Sequence, residues 1–326
     1  MIMVSINCIT YNHEAYIGQT IEGFLMQETD FDFEILIHED ASTDRTAEIV
    51  RSYERLHPDK IRVIYQTENQ YSKGVFVNLL NEERARGKYV ALCDGDDYWT
   101  DPHKLQKQVD YMEANPDCTL CFHDAYVETD DTLHTDWRVI PWMPENRKYA
   151  SFEARTYNAG ELQLLGFIPT MSMLYRNGLI LDGPDWLSDA PAKDGAMKLY
   201  VASHGYAYYM PEVMSVYRYG VAGSATTIWN EGNLERDIAR HEAFIRFIDT
   251  FDAYSNGQYQ QEMELSRISF EVGLHRLRRD YAALKSPRYD RYLDRFVGKE
   301  RIRPYLMVRH PIVTELLIRL RSRQLI

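Results

Sequence analysis

The sequence predicts an α/β protein: a mostly parallel sheet flanked by helices, followed by a helical C-terminal region. Two patterns predict it. Over residues 1–127, short β-branched apolar runs alternate with amphipathic helical segments, the signature of βαβ units with right-handed crossovers. From about residue 230 the period is helical, with long segments near 234–251 and 258–284. A third observation concerns function. Thr10-Tyr11-Asn12, Glu39-Asp40 and Asp94-Gly95-Asp96-Asp97 each directly follow a predicted strand. Ligands of open parallel sheets bind just beyond the carboxyl ends of the strands.

Each element has its local reason. Residues 4–9 are short, apolar and β-branched, as a buried parallel strand requires. Asn12 is the candidate cap of a helix over about 14–27, whose Tyr16, Ile17, Ile21, Phe24 and Leu25 share a face. A second strand spans 33–37. Ser42 or Thr43 caps the next helix, which ends before Pro58. The third strand is 61–65, a helix spans 74–86 with Gly87 as its stop, and the fourth strand is 89–93. Pro102 opens a helix to about residue 115, and 120–127 is the fifth strand. Residues 130–158 form a long polar and aromatic connection. A strand at 168–175, a helix at 193–203 and a strand at 206–210 follow. The last amphipathic segment is 312–320.

The 326 residues are 45% hydrophobic and 26% charged. That balance fits a globular protein and excludes a disordered, collagen-like or disulfide-scaffold chain. A net charge of -12 opposes general nucleic-acid binding, because phosphate neutralisation needs a basic face. Yet residues 272–326 hold 12 Arg and 2 Lys against 5 Asp and Glu, a net of +9 that leaves -21 on the rest. Such a tail reads as a solvated helical surface, a homodimer face, or a peripheral contact with an anionic membrane. Cys118 and Cys121 form a lone CxxC, which a packing role explains better than zinc. The opening Met-Ile-Met-Val-Ser-Ile-Asn carries no basic leader, and no run approaches a membrane span. Cytoplasmic residence, with the inner membrane face as the peripheral alternative, is the expectation.

Asp94, Asp96 and Asp97 stand within four residues. Carboxylates this close repel one another unless a cation or a hydrogen-bonding ligand joins them. Mg²⁺ commonly takes one or two carboxylates together with substrate phosphates. An acidic turn that merely caps the following helix is the structural alternative.

Three ordered segments carry a specific resemblance. Val-Ser-Ile-Asn-Cys-Ile-Thr-Tyr-Asn (4–12), Ile-His-Glu-Asp-Ala-Ser-Thr-Asp-Arg-Thr (37–46) and Ala-Leu-Cys-Asp-Gly-Asp-Asp-Tyr-Trp (91–99) resemble, in order and spacing, the motifs of glycosyltransferase family 2. The likeness is strong over 1–127, weaker over 160–220 and absent after about 230. It implies a GT-A (Rossmann-like) fold and an inverting transferase using a nucleotide-diphospho-sugar, most commonly of UDP. It implies a catalytic domain over 1–229, with a nucleotide-sugar half at 1–127 and an acceptor half at 128–229, then the helical region 230–326. Tyr11 and Asp40 would surround the base, with Glu39 in the place of a commoner Asp and either carboxylate open to that contact. Asp94 and Asp96 would bracket the ribose and metal, with Asp96 or Asp97 ligating Mn²⁺ or Mg²⁺. Lys73 would offset diphosphate charge, unless it is a solvated loop lysine.

Inversion is a single displacement, so a base must take the acceptor proton. The segment 192–200 resembles the one that bears this acid, which makes Asp194 the candidate, with Asp189 and Asp185 as rivals. Asp194 also has a reading as a helix cap. Residues 211–218 resemble the Tyr-Arg segment, but Gly220 stands where relatives often carry a His. The QxxRW pattern of processive synthases is absent, which favours single-sugar transfer to a glycan or lipid-linked glycan. The rival reading is a non-catalytic nucleotide-sugar-binding or scaffold protein that keeps the fold.

Overall fold

The computed structural model describes residues 2–140, 153–229, 232–293, 301–311 and 313. They fall into two compact units, Met1–Ile228 and Trp229–Ile326. In the first, the strands and helices in chain order are β1 (Ile2–Thr10), α1 (Ile17–Leu25), β2 (Asp32–Glu39), α2 (Thr46–Leu56), β3 (Ile61–Tyr65), α3 (Val77–Glu82), β4 (Tyr89–Leu92), β5 (Tyr98–Trp99), α4 (Lys104–Ala114), β6 (Cys118–Thr129), β7 (Thr132–His134), β8 (Arg155–Tyr157), α5 (Ala159–Leu165), β9 (Leu174–Arg176), α6 (Trp186–Asp189), α7 (Lys193–Ala202) and β10 (Tyr206–Arg218).

One mixed sheet runs β3-β2-β1-β4-β9-β6-β10-β5, with β7 beside β6 and β8 beside β10. β3, β2, β1 and β4 are mutually parallel, as are β6 and β10. β9 runs antiparallel to both β4 and β6 and joins the two parallel blocks. Val4, Ile6 and Cys8 of β1 and Ile35, Leu36 and Ile37 of β2 are wholly buried, because helices cover both faces of a parallel sheet. The register pairs Thr10 with Glu39. That sets Tyr11 and Asp40 side by side where the two strands end.

Several local expectations are corrected. Asn12 does not cap a helix. It takes a left-handed φ of 55°, and its Oδ1 accepts the Thr43 N–H at 2.8 Å. Its own N–H, with those of His13 and Glu14, goes to Ser42 Oγ, Thr46 Oγ1 and Asp44 Oδ2, so α1 begins only at Ile17. Neither Ser42 nor Thr43 caps α2; Asp44 Oδ1 accepts the Thr46 N–H at 2.9 Å. The helix expected over 74–86 is confined to Val77–Glu82, behind a 3₁₀ turn at Tyr71–Lys73. Gly74, at φ 85°, separates them in a conformation that L side chains avoid. The strand expected over 168–175 shortens to Leu174–Arg176, because Pro169 leads into a 3₁₀ turn at Thr170–Ser172. The strand expected at 206–210 runs on to Arg218. The connection at 130–158 contains β7 and β8, and its residues 141–152 lie outside the described residues.

In the second unit, α8 (Ala225–Trp229, which crosses from the first), α9 (Leu234–Tyr254) and α10 (Gln260–Leu277) are followed by two short helices, α11 (Asp290–Leu293) and α12 (Ile302–Arg309). Asn233 caps α9 through the Arg236 N–H. Ile268, Val272, Leu284, Tyr289 and Val308 form the buried cluster there. The basic excess is partly neutralised within this unit: Arg278 pairs with Glu242, Arg288 with Glu264 and Glu271, and Arg309 with Asp290. Apart from Val313, the amphipathic segment 312–320 lies outside the described residues. No helix among the described residues is long and apolar enough to cross a membrane.

Candidate active site

β4 ends at Leu92, and the chain turns tightly through Asp94–Asp97. The Gly95 N–H donates to Ile9 O at 2.9 Å and the Asp97 N–H to Asp94 O at 3.1 Å. Thr20 Oγ1, reaching from α1, lies 3.0 Å from Gly95 O and 2.7 Å from Asp97 O. A Cβ on Gly95 would stand 2.5 Å from Thr10 Oγ1 and 2.9 Å from His13 Nδ1, so only glycine fits this approach.

The turn sorts its three carboxylates. Asp97 is 3% exposed and turns inward, where Oδ1 accepts the Arg218 N–H at 2.8 Å. Asp94 and Asp96 are only partly covered. Asp96 Oδ2 lies 3.9 Å from His13 Nε2. Burial first, then the charges of Asp96 and Asp194, push the Asp94 carboxyl up to about 8. Burial and the Asp96 charge likewise raise Asp97, against the pull of the Arg218 N–H.

Arg218, the last residue of β10, organises the turn from above. Its Nη1 donates to Asp96 O at 2.7 Å and its Nε to Glu128 Oε2 at 2.7 Å, while Nη2 reaches Gln19 Oε1. The guanidinium also stands over the rings of Tyr98 and Tyr16, at 4.4 and 4.9 Å from their centroids. A fork that pairs while stacking is what Arg offers and Lys does not.

Asp194 is the second residue of α7, whose N-cap is Ala192 without a capping side chain. The cap reading of Asp194 therefore does not hold. Its charge is felt by Asp94, by Tyr71 and by Lys198, so its field reaches the β4 turn. Lys198, one turn along α7, is buried and donates to Gly166 O; burial pushes its ammonium down to about 8. The rivals Asp185 and Asp189 are exposed, and neither is among the charges that shift Asp94.

Tyr11 presents a 40% exposed ring at the end of β1. Asp40 is engaged by its own chain: Oδ1 accepts the Gln70 N–H at 2.8 Å and Oδ2 the Tyr71 N–H at 3.0 Å, with His38 Nε2 3.1 Å from Oδ1. Glu39 is 2% exposed and accepts the Ser42 N–H at 2.7 Å. Lys73 is half exposed and pairs with Glu68. Gly220 and Gly223 both take left-handed φ, at 89° and 79°.

Of the residues singled out in the sequence, the structure gathers Asp94, Asp96 and Asp97 in one turn and lets the Asp194 charge reach Asp94; the residues around them were not named from sequence. His13 carried no signal, because its place beside Asp96 depends on the turn after β1. Arg218 lay in a segment already singled out, without a role. Lys193 adjoins Asp194 and donates from Nζ to Gly74 O at 2.7 Å, a long-range bond with no sequence mark. Cys118 and Cys121 are buried on β6, and burial pushes the Cys118 thiol up to about 12.

Among the described residues, no group of three His, Cys, Asp or Glu side chains is arranged to hold a metal alone. The donor set still suits a hard cation that takes its remaining oxygens from a substrate diphosphate. Asp94 and Asp96 offer carboxylate oxygens, and the charge of Asp96, which adds to burial in raising Asp94, is the repulsion that a cation relieves.

The mixed sheet and the helical C-terminal part have the GT-A fold. Residues 1–349 of Staphylococcus aureus TarS, solved with UDP-GlcNAc, superpose at a TM-score of 0.60, covering 94% of this chain and 79% of that one at 15% identity. The mannosyltransferase PcManGT of Pyrobaculum calidifontis, solved with GDP-Man and Mn²⁺, superposes at 0.51, covering 89% and 82% at 17% identity. These likenesses concern the fold. The family model for glycosyl transferase family 2 matches residues 5–180, and the chain belongs to that family. An uncharacterised protein of Mycobacterium tuberculosis is 36% identical over 238 residues, 72% of this chain and 62% of that protein. The chain thus spans about three fifths of that relative's length. An uncharacterised glycosyltransferase of Nostoc is 32% identical over 178 residues, 54% of this chain and 52% of its own.

Proposed function

We propose that this family 2 glycosyltransferase is metal-dependent and inverting. It moves one sugar from a nucleotide-diphospho-sugar to a hydroxyl of a glycan or lipid-linked glycan. The observation that carries the reading is geometric: the turn holding Asp94 and Asp96 closes the carboxyl end of β4, tied to β1 through Ile9 O and near the exposed Tyr11 at the end of that strand; burial, then the charges of Asp96 and Asp194, raise Asp94 there.

At that edge Asp96, with Asp94 beside it, would hold Mn²⁺ or Mg²⁺, while Asp97, bonded inward to the Arg218 N–H, sets the turn. The cation supplies Lewis acidity to the departing diphosphate. Tyr11 stacks on the base. Asp194 accepts the proton of the acceptor hydroxyl as that oxygen bonds to the anomeric carbon. The bond from that carbon to the diphosphate oxygen breaks, and its electron pair leaves with the nucleotide. UDP is the nucleotide favoured by the family, and the donors held by TarS and PcManGT support a nucleotide-sugar of this kind.

Asp194→Asn tests the assignment. It keeps the size of the side chain and removes the proton acceptor. Transfer measured by nucleotide release with acceptor should fall by roughly 10²–10⁴-fold, with nucleotide affinity held within about twofold. Undiminished transfer moves the role to another acid. Loss of nucleotide binding shows instead that Asp194 belongs to the donor site.

A further inference from the structure

The loop over residues 70–74 is fastened at both ends. At its start, both Asp40 oxygens accept its backbone amides, Gln70 at 2.8 Å and Tyr71 at 3.0 Å. At its close, Lys193 Nζ donates to Gly74 O at 2.7 Å. Asp40 marks the end of β2 beside Tyr11, and Lys193 is the neighbour of Asp194 on α7. The loop therefore bridges from the nucleotide edge of the sheet to the start of the helix that bears the proposed base. Gly74 makes the return possible with its left-handed φ of 85°. On this tethered span Tyr71 is 55% exposed. An exposed aromatic on a fixed loop is a ready platform, because the ring adds apolar area with few rotamers to immobilise. Although part of the ring is exposed, burial around the hydroxyl raises it above its ordinary value, and the charges of Asp194 and then Asp94 add to this.

We infer that Tyr71 is an aromatic wall of the donor subsite, packed against the transferred sugar between Asp94 and Asp194, and that Lys193 is the positioning residue that holds this wall. This deepens the function proposed above and rests on it. The buried Asp40 then acts through the loop, shaping the span that contacts the donor.

The experiment is calorimetry in Mn²⁺ with UDP, GDP and dTDP and with the sugar-linked form of each, on the full chain and on Tyr71→Ala, Tyr71→Phe and Lys193→Met. Tyr71→Ala should weaken the nucleotide-sugar that the parent binds by about tenfold, the worth of one aromatic contact, and change the bare diphosphate by less than about twofold. Tyr71→Phe should bind the sugar form as the parent does. Lys193→Met should lose affinity for the sugar form at unchanged melting temperature, and Lys193→Arg should restore it. Equal binding of the sugar form by Tyr71→Ala and parent overturns the inference. So does an equal loss for diphosphate and sugar form, which would put the ring on the nucleotide. A parent that binds no member of the panel overturns the proposed function itself, a result that no Tyr71 variant can mimic.

Discussion

Glu82 is a carboxyl that the fold keeps where water does not reach it. It closes α3 at 1% exposure, and the hydroxyl of the wholly buried Tyr175 donates to its Oε1. Its Oε2 has no hydrogen-bond partner among the described residues. Burial pushes this carboxyl from an ordinary 4.5 up to about 7, with the Tyr175 bond pulling the other way. The folded state thus holds a proton that the unfolded chain releases between those values. The stability this contributes is fully present below pH 4.5 and is lost as pH rises through 7. At ~1.4 kcal/mol per pH unit, the loss comes to about 3 kcal/mol by pH 8. Glu82→Gln cannot titrate, and its Oε1 still accepts from Tyr175. Its amide adds donors where the protonated acid also lacked a partner, so the low-pH difference is small. Chemical denaturation at pH 5 should therefore place the variant within about 1 kcal/mol of the parent. At pH 8 the variant should be the more stable by about 2–3 kcal/mol. A difference between the two proteins that is constant from pH 5 to 8 would show that Glu82 is not held protonated, and the reasoning fails.

Two further outcomes follow from the β4 turn. Arg218→Lys keeps the charge and loses the fork that holds Asp96 O and Glu128 together; it should weaken Mn²⁺-dependent UDP binding by about tenfold or more, read by calorimetry, and unchanged binding removes Arg218 from the site. Gly95→Ala drives a Cβ to 2.5 Å from Thr10 Oγ1; it should abolish UDP binding and lower the melting temperature by several degrees, since forced overpacking costs about 1–3 kcal/mol.

The first 127 residues were the most legible. β1, β2 and β4 are largely buried on both faces, and burial writes itself into sequence as short runs rich in Val, Ile and Leu. The second half was less so. β5 is two residues long, and β9 is three residues that follow a proline turn; neither is long enough to show a period. β9 joins the sheet antiparallel to both neighbours, a topology set by packing rather than local preference. Caps failed for a related reason. Asn12, Ser42 and Thr43 do bond backbone or one another, but across two loops some thirty residues apart rather than at the start of a helix. The acids of the site were legible because three within four residues are costly and visible. What holds them was not, since Arg218 meets this turn through Asp96 O and through its own backbone N–H to Asp97, and backbone groups have no residue code.

The disposition of positive charge around the turn argues for a ligand there. Other acids of this chain find cations readily: the buried Glu34 pairs with Arg62 and Arg86, and Asp101 with Lys107. The guanidinium that reaches the β4 turn is engaged differently. Arg218 gives its charge to Glu128 and its remaining donors to Asp96 O and Gln19, and none of them to the Asp96 carboxylate. Among the described residues, no Lys or Arg ion pair is formed by Asp94 or Asp96, and His13 stands off at 3.9 Å. A chain selected only for stability would neutralise two neighbouring acids of like charge, or replace them. Local conflict of this kind, held in place by Thr20, Gly95 and Arg218, is expected where binding energy supplies what folding withholds. On the function proposed above, the negative potential of Asp94 and Asp96 is available to a cation that arrives with the donor diphosphate. On the same proposal Asp97, turned inward and bonded to the Arg218 N–H, is not needed as a ligand, because two carboxylates suffice for a hard ion that brings phosphate oxygens with it.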